Sequence, residues 1–308
     1  MSFRGTASRG RGATRASSDA ARSFAWCLLV AAGLLLVFLV VFVVGPTILN
    51  GFGFDARAYW GFPRDQLYAG PGTANGYGIY RYSPAFVPLM ELFTLVPWPV
   101  FAIAWAVLLS GIYLWLTGRS WLPLLAFPPV IFEIYIGNVH LLIAAAIVLG
   151  FRYPQAWAFV LLSKLTPGVG LIWFAVRREW RSLAIALGAA AAIAAVGVVF
   201  APGAWADWLR SLQETGPSVG PNLVPIPLAI RLVAAAVIVT FGALTNRRWT
   251  VVVAATLGLP TLWTHGFVVL VAIVALRRGM PEVMPQLPRS LPRVSLPRRA
   301  AQPAGSRT

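Results

Sequence analysis

Four stretches of this chain contain no Asp, Glu, Lys or Arg: residues 23–54, 92–118, 182–206 and 250–276. Each exceeds the ~18 uncharged residues that mark a membrane-crossing helix. With 58% hydrophobic and only 11% charged residues, the chain as a whole matches these runs. The fold class they predict is all-α: a multipass bundle of transmembrane helices, not a soluble domain. Thirteen Trp and eight Tyr, many near the ends of apolar runs, suit the two membrane–water interfaces. The single cysteine, Cys27, excludes an intrachain disulfide and reads as packing within the first span.

A net charge of +16 raises the question of nucleic acid, but the distribution of charge answers it. Arginines cluster at the ends of apolar runs and in two tails. Residues 1–22 hold five of them among Ser, Gly and Ala, and residues 277–308 hold seven with six prolines. Neither tail has the apolar content to fold. Basic segments flanking spans belong on the cytoplasmic face, against anionic lipids. The predicted organisation is therefore a disordered basic tail (1–22), a transmembrane domain (23–278) and a disordered Pro/Arg-rich tail (279–308). Both termini are cytoplasmic, membrane lipids are the partner of the basic tails, and nucleic acid is not a partner. The apolar run at 24–47 is too long for a signal-peptide core and reads as an anchor.

From a cytoplasmic N-terminus, the first span (24–49) leads to an external segment, 50–83. Residues 84–96 are apolar but too short to cross, so they lie at the interface. Spans follow at 99–117, 121–136 and 138–150. Only 24 residues then separate Arg152 from Arg177, and both want the inside. Two short helices broken near Lys164-Leu165-Thr166-Pro167 satisfy that demand, with Pro167 disrupting a helix interior. The same conflict at 250–276 predicts a break at 260–266, which places His265 at a turn. Ordinary spans at 181–200 and 227–244 frame an external loop holding Asp207, Arg210 and Glu214. The count is about ten crossings. Broken helices at membrane depth are tolerated where they line protein or a wet cavity.

Lys164, the only lysine, is uncharged company's exception between residues 153 and 176. An ammonium at membrane depth costs about 3 kcal/mol on insertion scales, which favours a functional site with a partner; the alternative is snorkelling to the headgroups. Asp55 follows the first span closely enough to act on a lipid-linked substrate. Arg81, in Tyr80-Arg81-Tyr82-Ser83-Pro84, offers a guanidinium near the headgroups. Glu133 is a carboxyl inside a span and needs a partner, for which Lys164 or Arg231 could serve. Arg231 could also present a guanidinium to a phosphate. The chain has no Asp-x-Asp pair, Walker loop, nucleophile elbow or His-Glu-x-x-His helix, so neither a metal nor another cofactor is expected.

In this order these residues resemble the family-87 glycosyltransferases, bacterial membrane enzymes typified by polyprenyl-phosphate-mannose-dependent mannosyltransferases. The matching pieces are Asp55 with Tyr59, Tyr82-Ser83-Pro84, Gly137-Asn138, Lys164-Leu165-Thr166-Pro167, Asn222 ahead of Arg231, and Pro260-x-x-Trp263-x-His265. The chain departs at Val224, Asn138 and Gly266, where a serine, a glutamine-like residue and an aromatic are expected. The resemblance implies a GT-C type fold in the cell membrane and inverting, metal-independent transfer at the outer face. The donor would be a polyprenyl-phosphate sugar, mannose by analogy, and the acceptor a lipid or glycan. Asp55 would be the general base, with Lys164, Arg231, Arg81 and His265 holding the phosphate and Tyr59, Tyr82 and Asn138 in the site. The competing classes are a lipid or polysaccharide flippase and an inactive homologue serving as an assembly partner. A carboxylate beside the bilayer favours the enzyme.

Overall fold

Prolines and glycines, more than polar loops, divide this apolar chain into elements. The computed structural model describes residues 25–26, 29–30, 32–33, 51–61, 67–68, 80, 82–214 and 225–278. Among the described residues there are helices and turns but no strand. Most of the expected first span, Cys27, both tails, Asp65, Arg81 and Asn222 lie outside them.

Helix α1 is Phe54–Gly61, too short and too polar to cross a bilayer. A 3₁₀ turn at Pro84–Phe86 runs into α2, Val87–Phe93. Together they are about 15 Å long at 1.5 Å per residue, half a bilayer core, as expected of an interfacial segment. Helix α3, Trp98–Thr117, starts with a proline in its first turn, where the missing N–H costs nothing. It continues through α4, Trp121–Leu124, so that Trp98–Leu124 is, among the described residues, one of two helices long and apolar enough to cross a membrane.

The expected span at 121–136 is in two pieces. Pro128 and Pro129 start a new helix, α5 (Pro128–Ile136), which ends at Gly137 in the left-handed conformation (φ 75°). Helix α6, His140–Gly150, then departs at 110° to α5. At nine and eleven residues neither reaches across a bilayer alone, and the bend puts Glu133, Asn138 and His140 at a buried apex.

The break predicted at Lys164 is present. Helix α7 (Trp157–Ser163) stops at Lys164, whose backbone is extended, and a 3₁₀ segment at Thr166–Leu171 leads into α8, Ile172–Val176. Helix α9, Trp180–Phe200, is the second long apolar helix. The expected loop carrying Asp207, Arg210 and Glu214 is instead a helix, α10 (Pro202–Glu214). Trp205, Trp208, Leu209 and Leu212 recur at three- and four-residue spacing there, and that amphipathic period explains the correction. Helix α11 is Leu228–Leu244, and α12, Trp249–Leu257, ends at the second predicted break. A 3₁₀ segment, Thr264–Val271, and α13, Ala272–Arg278, complete the described chain.

The short helix α6 is central, packing against α3, α7, α13 and the Thr264–Val271 segment. Its side chains are buried almost throughout. By contrast, α3, α9 and α11 turn Ile103, Val107, Val196, Val199, Val233 and Val237 outward. Contiguous apolar surface of this extent would be an association hazard in water and is an ordinary lipid-facing surface in a bilayer. This is a membrane protein.

Candidate active site

The apex between α5 and α6 is built around one glycine. Gly137 needs its positive φ to end α5, and its N–H bonds the Glu133 carbonyl at 2.9 Å. A Cβ there would lie 2.7 Å from the Ala56 Cβ, so only glycine lets α1 come this close. Two further bonds lock the approach: Gly53 N–H to the Tyr135 carbonyl at 2.8 Å, and Trp105 Nε1–H to the Gly137 carbonyl at 2.8 Å. The result sets Asp55, on the first turn of α1, beside Asn138. The Asn138 amide donates to Asp55 Oδ2 at 2.6 Å, while its Oδ1 accepts the Val139 N–H at 2.7 Å.

Tyrosines wall the other side of this amide. The Tyr59 and Tyr82 hydroxyls are 2.8 Å apart, and Tyr82 makes a long 3.5 Å contact to Asn138 Oδ1. Asp55 lies outside the spanning helices and is partly buried. Burial raises its pKa to about 6, opposed by the Asn138 hydrogen bond and the Lys164 charge. A carboxylate so placed is a better proton acceptor than an exposed one at the same pH.

Behind Asn138 the polar chain continues. Glu133 Oε1 accepts the backbone N–H groups of His140 (2.6 Å) and Leu141 (3.3 Å), which the first turn of α6 would otherwise leave orphaned. Glu133 Oε2 lies 3.0 Å from His140 Nδ1, and His140 Nε2 lies 2.8 Å from Lys164 Nζ. The expected partner of Glu133 is thus reached indirectly, with His140 interposed between carboxylate and ammonium. Lys164 is half-buried and turned to the interior, 6.0 Å from the Tyr82 ring centroid. His265 completes the group, its ring centroid 5.1 Å from that of His140 and its buried Nδ1 without a hydrogen bond.

Asp55, Tyr59, Tyr82, Asn138, Lys164 and His265 are therefore one connected cluster. Arg231 stands apart from it. Its Nε donates to the Ile226 carbonyl (3.1 Å) and its Nη atoms donate to the carbonyls of Leu257, Leu259 and Pro260 (3.0, 2.7 and 3.0 Å). Three of the five guanidinium N–H groups thus secure the end of α12 at the second break, and a fourth holds the Ile226 carbonyl ahead of α11. Glu133, which the sequence marks as needing a partner, and His140, beside the same turn, were not among the residues expected to contact substrate. Two polar side chains flanking Gly137-Asn138 in an otherwise apolar hairpin were the signal for them.

Glu133, His140 and His265 each bring one ligand atom within 4.8 Å of the others, a spacing a metal ion could draw together. Two of the three are already engaged: both Glu133 oxygens face N–H groups and His140 Nε2 accepts from Lys164, while His265 Nδ1 has no hydrogen bond. A cation there would also sit beside an ammonium, so a metal fits poorly.

Next to the cluster is a recess of about 420 Å³, counting its open mouth. Tyr59 and Tyr82 border both the recess and the polar cluster, and the rest of the wall mixes aromatic side chains such as Phe86, Trp105 and Phe159 with aliphatic ones such as Leu89 and Leu142.

A family model described as glycosyltransferase family 87 matches residues 80–284, more than half of the chain. The chain belongs to glycosyltransferase family 87. No curated protein and no solved structure matches it. In this family-87 chain Tyr82, Asn138, Lys164, Arg231 and His265 fall inside the matched segment, whereas Asp55 and Tyr59 precede it.

Proposed function

We propose that this family-87 glycosyltransferase takes a sugar, mannose by family analogy, from a polyprenyl-phosphate donor and passes it with inversion to a lipid or glycan hydroxyl at the outer face of the cell membrane. The observation that carries the reading is the joining of a carboxylate and an ammonium through one amide–imidazole apex beside an apolar recess. A phosphate-linked sugar reacts through a cation-like transition state. The protein then needs a base for the acceptor hydroxyl and a cation for the departing phosphate. Asp55 is the base. Lys164 is the phosphate cation, with His265 Nδ1 as a further contact and Asn138, Tyr59 and Tyr82 holding the base in place. Arg231 has one N–H left for a ligand, and Arg81 offers a second guanidinium. The recess, apolar in its lining, suits an apolar portion of an amphiphilic substrate. No step requires a metal.

The proposed topology has about ten crossings with both termini cytoplasmic and the two breaks opening outward. Leu165 and Thr264 are exposed at these breaks. With Cys27 replaced, single cysteines at 165 and 264 are expected to react with a membrane-impermeant thiol reagent added outside. Protection of both, with labelling of a cysteine in the C-terminal tail, would reverse the orientation. The chemistry is tested by following sugar from a labelled polyprenyl-phosphate donor.

A further inference from the structure

We propose that His140, fixed by Glu133, is the positioning residue that aims the Lys164 ammonium at the donor phosphate; this rests on the phosphate role given to Lys164 above. Donors and acceptors fix the arrangement. Glu133 is fully buried and both its oxygens face N–H groups, and an ionised carboxylate only accepts. The Lys164 ammonium facing Nε2 can only donate, so the tautomer that serves both neighbours carries its ring proton on Nδ1, 3.0 Å from Oε2. That leaves a lone pair on Nε2, where Lys164 Nζ arrives at 2.8 Å as a donor. The opposite tautomer would set a lone pair against the carboxylate and an N–H against the ammonium. The imidazole is thus oriented from both ends.

Lys164 needs such an anchor. Its four-carbon stem is flexible, and it leaves the chain where α7 has ended and the backbone is extended. Without a partner inside, the ammonium gains most by reaching the headgroups. An ammonium has three donors, and the one given to His140 determines where the other two point. His140 itself is 1% exposed, so it acts through Lys164 and not on the substrate. The chain Glu133–His140–Lys164 also links the apex of α5 and α6 to the break after α7, so the base side and the phosphate side of the site share one rigid origin.

The test exploits the composition: one lysine and two histidines. In the full-length protein labelled with ¹⁵N-lysine and ¹⁵N-histidine, a single Nζ signal and four ring-nitrogen signals report the chain directly. Wild type should show His140 protonated at Nδ1 with Nε2 accepting. His140→Gln places an acceptor near the Nε2 position, whereas His140→Asn ends near Nδ1 and cannot reach Lys164. Glu133→Gln offers an amide N–H to the ring and should invert the tautomer. His140→Gln is expected to keep the KM for polyprenyl-phosphate mannose within about threefold and the Nζ signal in place. His140→Asn and Glu133→Gln should raise that KM about tenfold or more and shift Nζ, with the acceptor KM unchanged in every variant.

The proposal is overturned if His140 is protonated at Nε2, or if His140→Asn matches His140→Gln. It is also overturned if activity follows added zinc and is lost to chelator, which would make the cluster a metal site. If Lys164→Met binds donor normally, the phosphate reading falls and takes this proposal with it. If Lys164→Met binds donor weakly while His140→Asn behaves as wild type, only the positioning role falls.

Discussion

Asp55→Asn is expected to lower the rate of sugar transfer by about 10²–10⁴-fold, the contribution of a positioned general base. Donor affinity should stay within about threefold. Asn keeps the shape of the side chain and an oxygen to accept the Asn138 amide, now 2.6 Å from the carboxylate, but it cannot take a proton. The pH dependence has a definite sign. Burial raises the Asp55 pKa to about 6, so the base is available above that value and kcat/KM falls with a one-proton slope as pH drops through it. Stability runs the other way. The folded-state pKa lies above the ordinary 3.8, so the native state binds the proton more tightly and this group's stabilisation is complete below about pH 4. It is lost as pH rises through about 6, at a cost on the order of 2–3 kcal/mol. The Asn variant should therefore be dead yet more stable than wild type at neutral pH, measured as thermal unfolding in detergent. Asp65→Asn, in the same segment of sequence, should keep its activity. If Asp65→Asn is the inactive variant, the base has been misassigned.

Lys164→Met is the second large effect. A hydrogen bond from a charged donor contributes about 1.5–3 kcal/mol, so donor affinity should fall about 10–100-fold. The sequence alone suggests that removing a charge from the membrane relieves a desolvation cost. The fold adds an opposing term, because Met leaves His140 Nε2 without its donor and Glu133 without the nearby cation. The variant should still fold, held by the backbone N–H groups that satisfy Glu133, but without a gain in stability. Lys164→Arg should not restore binding, because a planar guanidinium does not occupy the volume of an ammonium seated against an imidazole. Unchanged donor affinity in a folded Lys164→Met protein would return Lys164 to an interfacial anchor. Equilibrium binding of a fluorescent polyprenyl-phosphate sugar reads either outcome.

How far the sequence carried this account depended on the kind of evidence each residue left in it. The breaks at Lys164 and before His265 were legible because arginine placement demands an even number of crossings where length allows one. That residues 84–93 form a helix too short to cross was legible from the length of the apolar run. Asp55, Tyr59, Tyr82, Asn138, Lys164 and His265 were each visible as polar or aromatic residues in apolar surroundings, although 108 residues separate Asp55 from Lys164 in the chain. Their convergence was implied by the family resemblance but by no spacing, because it depends on Gly137 admitting α1 to within contact of the turn. His140 escaped for a related reason: its role follows from which nitrogen faces which neighbour, and no spacing encodes that. Arg231 looked like a phosphate ligand because a lone guanidinium in an apolar run suggests one. The carbonyls it satisfies are orphaned only once α12 stops at Leu257, a property of the folded break. Helix α10 was read as a loop because charge drew attention away from its tryptophan and leucine period.

The most direct measurement is to incubate the purified protein, in a bilayer, with doubly labelled polyprenyl-phosphate mannose and a panel of lipid and glycan acceptors, with and without chelator. The account predicts that sugar label moves to an acceptor with inverted configuration, that an equal amount of polyprenyl phosphate is released, and that chelator changes neither. Sugar label that stays on the donor while the intact lipid crosses the bilayer would contradict it and make the protein a transporter.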